Sequence, residues 1–460
     1  MAKIRTKYVC SNCGKETPRF MGKCPSCGEF NTMQEMIEDA PRKANVKQNR
    51  QHVGVTRARA ERLHEVNMDE VNRLRVPVVE FNRVMGGGIV PGSITLIGGE
   101  PGIGKSTIMV QIAALMANVA GPVLYVSGEE STKQIKMRAD RLMLNAPDLY
   151  LLTETNLGNI FEEVNQVNPT ILIVDSIQTV YSEELESSPG LVGQVRECAS
   201  RLQTLAKSTG ITVFLIGHVT KDGTIAGPRV LEHIVDTVLY LEGDPFQAFR
   251  LLRSVKNRFG ATSEVGVFEM QGAGMVEVPN PSEAFLAERV VNASGSSIAV
   301  TMEGTRPLLV EIQALTSPTN FGNPRRTPNG VDMNRLLLIS AVMSKRVGLK
   351  LHEHDIFINV IGGMKVNEPA SDLAMALAMA SSYLDQAIPA DVVMVGEVGL
   401  SGEIRAVSQL AVRLNEAAKI GFKRAIVPRM RRKVDGLPDQ MEIIPVRSIV
   451  EALSAVLPLK

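Results

Sequence analysis

The sequence contains no tryptophan, and Phe, Trp and Tyr together make up 4% of its 460 residues. So small an aromatic share argues against base stacking as the main mode of any nucleic-acid contact. No charge-free apolar run is long enough to span a bilayer. The opening Met-Ala-Lys-Ile-Arg-Thr-Lys has no apolar signal core. Both absences predict a cytoplasmic protein without a membrane partner. A strong overall charge is missing too: the formal net charge is +1. The balance is nevertheless uneven, because residues 1–62 carry 13 Lys and Arg against 6 Asp and Glu. A basic arm of this kind suits a nucleic-acid backbone, and equally a solvated linker. Hydrophobic content of 44% with 22% charged residues is that of a globular chain. The length predicts two or three domains.

Cysteine is scarce, yet four of the five residues stand close together. Cys10-x-x-Cys13 and Cys24-x-x-Cys27 can each place two thiolates on one turn, and two such knuckles make a tetrahedral S4 site for Zn2+. Gly14 and Gly28 follow the pairs, where the backbone must turn tightly. Disulfides are the competing reading, disfavoured in a cytosolic chain. Four thiolates leave no open position, so the predicted metal is structural, and the module is too small to fold without it. A C4 zinc knuckle is expected over residues 1–30. Residues 31–75 lack a sustained apolar period and read as a basic flexible linker. Cys198 falls in a predicted helix and reads as a small buried residue.

Gly99-Glu100-Pro101-Gly102-Ile103-Gly104-Lys105-Ser106 fits G-x-x-x-x-G-K-[ST], the phosphate-binding loop. Ser93–Gly98 reads as a buried strand before it, and Thr107–Asn118 as a helix after it. Glycines let several N–H groups point at one phosphate, and the helix adds the positive end of its dipole. Gly99 through Thr107 is therefore the expected ATP-binding segment. Lys105 would neutralise the β- and γ-phosphates, and Ser106 would hold Mg2+. Strands and helices alternate from Pro122 to Gly217, which predicts a parallel sheet covered on both faces. The stretches 237–241, 249–255 and 264–269 read as consecutive strands, predicting an antiparallel edge after the parallel core.

Polar groups fall at the carboxyl ends of the parallel strands, where such sheets bind ligands. Asp175 ends Ile171-Leu172-Ile173-Val174 and would hold Mg2+ through a water. Glu129 ends another strand and is the expected residue to orient or deprotonate the attacking water. Glu130 beside it also fits a helix N-terminus. His218 ends the next strand, placed to sense the γ-phosphate. Lys221 and Arg229 lie in the following loop and would contact a DNA backbone. Lys256-Asn257-Arg258-Phe259-Gly260 packs two cations around a tight turn. In a ring of subunits, Lys256 or Arg258 could reach a neighbour's γ-phosphate as a finger in trans, or touch DNA. Otherwise it is an ordinary basic turn.

Taken together, the zinc knuckle, Gly-Glu-Pro-Gly-Ile-Gly-Lys-Ser, Ser-Gly-Glu-Glu-Ser and Lys-Asn-Arg-Phe-Gly resemble the bacterial RadA (Sms) family of recombination and repair ATPases, over nearly the whole chain. The resemblance implies a RecA-like P-loop ATPase core, here over residues 76–275, in a hexameric ring. It also implies a DNA-stimulated ATPase and helicase-like motor, branch migration on single-stranded and branched DNA, and partnership with RecA recombinase. Residues 285–460 read as a second α/β unit. Within it, Glu368-Pro369-Ala370-Ser371-Asp372 and Gly396 to Glu403, before the helix carrying Arg413 and Glu416, resemble the proteolytic domain of Lon with its Ser-Lys dyad. The nucleophile position holds Ala370 and the base position Ala411. A methyl group cannot attack a carbonyl, and Arg413, two residues on, cannot serve as a neutral base. Ser371 is one residue off and reads as an N-cap. This unit is therefore expected to be a proteolytically inactive scaffold for ring assembly, with Lys423-Arg424 and Arg429 to Lys433 as further DNA contacts. The whole chain is expected to act in homologous recombination, extending strand exchange with RecA. The alternatives are a signalling ATPase similar to KaiC and an ATP-dependent protease.

Overall fold

The computed structural model of the chain describes residues 5–30, 32–38, 73–218, 230–243, 248–262, 264–319, 323–430, 432 and 434–457. Two compact units result: Met1–Leu241 with Val255–Gly260, and Glu242–Ser254 with Ala261–Lys460. Among the described residues, no helix is long and apolar enough to cross a membrane.

The cysteine-bearing segment forms its own small antiparallel sheet, in the order β2-β1-β3, from β1 (Arg5–Cys10), β2 (Glu16–Thr17) and β3 (Met33–Glu38). After a short helix α1 (Val79–Val84), alternation sets in. The elements are β4 (Ile94–Gly99), α2 (Lys105–Val119), β5 (Val123–Ser127), α3 (Thr132–Arg141), β6 (Leu149–Thr153), α4 (Leu157–Val167), β7 (Ile171–Asp175), α5 (Val192–Thr209), β8 (Thr212–Ile216) and β9 (Thr237–Glu242). The six strands from β4 to β9 are parallel, in the order β9-β4-β8-β7-β5-β6. Strands β4, β5, β7 and β8 are buried at every residue, as continuous apolar runs in a two-sided sheet should be. Leu124, Val126, Leu172 and Val174 pack with Ile160 and Val164 of α4 and with Val195, Ala199 and Leu202 of α5. Cys198 is buried in the same core, as expected.

One strand departs from expectation. β9 was expected to open an antiparallel run, but it pairs parallel with β4. The stretch from 217 to 236 exceeds the dozen or so residues that a parallel crossover needs. Antiparallel pairing begins with β10 (Phe249–Asn257), β11 (Val265–Gln271) and β12 (Gly274–Glu277), and a short helix α6 (Pro281–Leu286) follows.

In the second unit, β13 (Ser296–Glu303) and β14 (Arg306–Pro318) form the centre of a seven-stranded mixed sheet. Its order is β15-β16-β14-β13-β17-β20-β21, with β15 at Arg326–Asn329, β16 at His354–Val360, β17 at Val392–Met394, β20 at Arg424–Pro428 and β21 at Glu442–Val446. β18 (Glu397–Val398) and β19 (Ile404–Arg405) form a separate ribbon. Strand alternation divides β13 between two cores. Ala299 packs with α7 (Met333–Val342), α8 (Asp372–Leu384) and α10 (Ile449–Val456), whereas Ile298 and Val300 pack with α9 (Leu410–Ile420). α8 is buried on all sides from Asp372 to Ser381, which its small alanines and adaptable methionines permit.

Candidate nucleotide site and metal centre

The phosphate loop joins β4 to α2, and the helix starts at Lys105, two residues before the expected Thr107. Lys105 and Ser106 thus lie in its first turn, where free amides are concentrated. Gly104 precedes them at φ 112°, a backbone only glycine adopts without strain. At Gly99 a Cβ would stand 2.6 Å from the Leu241 carbonyl oxygen on β9, so the strand end closes only around glycine. Glu100, Pro101 and Gly102 are exposed, Ile103 is buried, and Ser106 and Thr107 are half-buried.

Lys105 is buried, and its ammonium donates to the carbonyls of Gly99 and Glu100, both at 2.9 Å. Burial lowers its pKa, while the charges of Asp175 and Glu129 pull the other way. The carboxyl ends of β4, β5, β7 and β8 thus bring together four expected residues: Lys105, Glu129, Asp175 and His218. Each is held by a partner. Asp175 Oδ2 accepts from the Tyr125 phenol at 2.6 Å. Burial, and then the adjacent Asp175 charge, raise the Tyr125 pKa well above its ordinary value, so the phenol keeps its proton. Glu129 Oε1 accepts from the Ser176 hydroxyl at 2.7 Å and lies 3.3 Å from His218 Nε2. Ser127 Oγ fixes the turn beneath it by accepting from the amides of Glu129, at 3.4 Å, and Glu130, at 3.0 Å. Glu130 is more than helix-end decoration, because it pairs with Arg138 on α3.

Lys256 and Arg258 are placed elsewhere. Lys256 donates to the carbonyls of Glu232, at 2.5 Å, and Val235, at 2.8 Å. Burial and the Arg258 charge lower its pKa. Arg258 pairs with Asp236 at 3.2 Å. The Asp236 side chain is 2% exposed against 54% for Arg258, so the carboxylate is a buried anchor for a cation that faces outward. Asp236 also accepts from Lys207 Nζ at 2.6 Å and from the Ile94 amide at 3.2 Å. Ile94 opens β4 and Gly99 closes it. The two cations therefore sit at the opposite end of the sheet from their own phosphate loop, roughly 16 Å away along the strand. Lys221 and Arg229 lie outside the described residues.

The four clustered cysteines converge as expected. Their Sγ atoms all lie within 4.8 Å of one another, with Cys10 to Cys27 at 3.7 Å and Cys13 to Cys24 at 3.5 Å. These spacings match the edge of a tetrahedron with Zn–S bonds of about 2.3 Å, roughly 3.8 Å, and far exceed a disulfide of about 2.05 Å. All four are free thiols. The donor set suits Zn2+.

In the second unit, Ala370 is buried and Arg413 is wholly buried. Arg413 pairs with both oxygens of Glu368, and donates to the carbonyls of Val300, at 2.8 Å, and Ser408, at 2.9 Å. Glu368 also accepts from the Met302 amide at 2.8 Å and the Thr301 hydroxyl at 3.1 Å. The N-cap expectation for Ser371 is corrected. It precedes α8, but its backbone is already helical (φ −86°, ψ −8°), and its hydroxyl donates back to the Glu368 carbonyl at 2.7 Å. Of the basic stretches, Arg424 is engaged by Asp391 at 2.6 Å, and Arg431 and Lys433 lie outside the described residues.

Tyr125, Ser176 and Asp236 are the partners that sequence reasoning missed. Ser176 directly follows Asp175, the expected Mg2+ residue, and could have been suspected on that ground. Tyr125 and Asp236 carry no such local mark.

Family models match three stretches of the chain. Residues 8–35 match a rubredoxin metal binding domain, residues 58–224 an AAA domain, and residues 337–431 the ChlI subunit of Mg-chelatase. Curated relatives match it end to end. The DNA repair protein RadA of Bacillus subtilis is 52% identical over 98% of this chain and 99% of its own. The DNA repair protein RadA of Halalkalibacterium halodurans is 48% identical over 99% of this chain and 100% of its own. Among solved structures, a KaiC-like protein of Pyrococcus horikoshii is 22% identical over 45% of this chain and 100% of its own, with a TM-score of 0.39.

Proposed function

The chain belongs to the RadA family of DNA repair proteins, and from that premise we propose that it is a DNA-dependent ATPase and ring-shaped DNA motor. It promotes branch migration and strand-exchange extension in homologous recombination, together with RecA recombinase, in the cytoplasm. One observation carries the reading. The phosphate loop with Lys105, Glu129 and Asp175 lies at one end of β4, and Lys256 and Arg258 lie at the other. If Lys256 or Arg258 serves a γ-phosphate, that phosphate is then bound by another chain. A ring, taken as hexameric, supplies that chain.

In this mechanism the amides of Gly102 and Gly104 and the Lys105 ammonium hold the phosphates. ATP displaces the Gly99 and Glu100 carbonyls from Lys105. Mg2+ would be held by Ser106 and Asp175, an oxygen set suited to that hard cation, and would neutralise charge on the β- and γ-phosphates. Glu129 orients the attacking water with its second oxygen, because the first is held by Ser176. His218 joins Glu129 to the loop bearing Lys221 and Arg229, which grip the DNA backbone. Lys256 or Arg258 of the next chain reaches the γ-phosphate. Beyond the expected bounds of 1–30, β3 carries the zinc knuckle to Glu38; the rest of 31–75 is a linker, 76–275 the motor and 285–460 an inactive Lon-like domain. The zinc knuckle docks RecA.

The test is ATP hydrolysis with and without single-stranded DNA over a salt series. Strong stimulation that fades with salt is expected of a motor gripping phosphates. Hydrolysis indifferent to DNA would overturn the motor and favour the signalling reading.

A further inference from the structure

Tyr125 and Asp175 are both buried, at 1% and 5% exposure, and lie on adjacent parallel strands. In the register Tyr125 faces Ile173 and Ser127 faces Asp175. Tyr125 and Asp175 are therefore diagonal neighbours on one face, a separation that an aromatic side chain can bridge. The phenol reaches forward to the strand end and donates to Oδ2 at 2.6 Å. Among the described residues it is the only side chain that hydrogen-bonds this carboxylate.

We infer that Tyr125 is a positioning residue for the Mg2+-binding carboxylate, fixing its rotation and leaving Oδ1 to the cation. The inference rests on the reading of Asp175 as the Mg2+ residue. Two features of the site carry it. A buried carboxylate needs a donor, and Lys105, on whose charge Asp175 acts, is committed to the carbonyls of Gly99 and Glu100. A neutral donor satisfies the carboxylate without cancelling its charge, whereas an ion pair with Lys105 would occupy both the metal's charge and the phosphate's lysine. Tyr125 thus serves the carboxylate while Lys105 rests on carbonyls.

The experiment uses the full chain and equilibrium binding of a fluorescent N-methylanthraniloyl-ATP, titrated with Mg2+ and repeated in EDTA. Tyr125→Phe retains the ring and removes only the donor. It is expected to raise the Mg2+ concentration for half-maximal binding by about tenfold, with binding in EDTA unchanged. Asp175→Asn is expected to raise that concentration further. A Tyr125→Phe curve like wild type beside an altered Asp175→Asn curve overturns the inference. An Asp175→Asn curve like wild type overturns the reading beneath it. Loss of EDTA binding in Tyr125→Phe assigns the phenol to the nucleotide pocket instead, and also overturns the inference.

Discussion

Lys105 in the first unit and Arg413 in the second are both buried cations with carboxylates nearby, and the two are held in opposite ways. Lys105 rests on two backbone carbonyls, with Asp175 and Glu129 near enough to act on its charge but not bonded to it. Arg413 is nearly filled: both oxygens of Glu368 and two carbonyls take four of its five N–H donors. A cation on neutral acceptors can be claimed by a stronger anion. A cation whose fork is held by its own carboxylate has little left to offer a ligand. On the proposed reading, the difference separates a substrate-binding lysine from a structural strut, although burial alone would rank Arg413 first.

Three changes can break or sharpen that contrast. Lys105→Ala should reduce ATP turnover at least about a hundredfold and leave the denaturant midpoint of the chain little changed. Normal turnover would remove Lys105 from the site. Arg413→Met should do the reverse, costing the second unit about 3 kcal/mol in chemical unfolding because Glu368 is left uncompensated, with turnover of the folded protein preserved. Adding Glu368→Gln should recover part of that loss. Turnover that falls while stability holds would make Arg413 functional after all. The smallest effect is a pH dependence. Burial alone would raise the Glu368 carboxyl, but hydrogen bonds from Arg413 and the Met302 amide outweigh it and hold the pKa below 4.5. A depressed carboxyl stabilises fully above its unfolded pKa and loses that contribution as pH falls through the folded one. Unfolding midpoints should therefore drop as pH is lowered from about 6 to below about 4, and the drop should shrink in Arg413→Met.

What was legible in the sequence was what is local. The phosphate loop, the strand ending in Asp175 and the paired cysteines each declare themselves within a few residues, because their chemistry needs fixed short spacings. The strand–helix alternation was legible for the same reason. The partners were not. Tyr125 meets Asp175 across 50 residues, Ser176 meets Glu129 across 47, and Arg413 meets Glu368 across 45. Strand order sets these pairings, and no periodicity encodes it. The parallel setting of β9 was missed because loop length permits either sense and only packing against β4 decides. Ser371 misled because an N-cap and a residue already inside the helical turn differ in backbone angles, not in identity.

The polarity of β4 also bears on assembly. On the reading that Lys256 or Arg258 completes a neighbour's site, every chain has a donating end and an accepting end. Chains then add head to tail through a heterologous contact. An open chain of subunits always carries one incomplete site at a terminus, whatever its length, whereas closure leaves none. Specific activity per subunit should therefore report closure directly, rising with each added subunit and stepping up when the last contact joins the first.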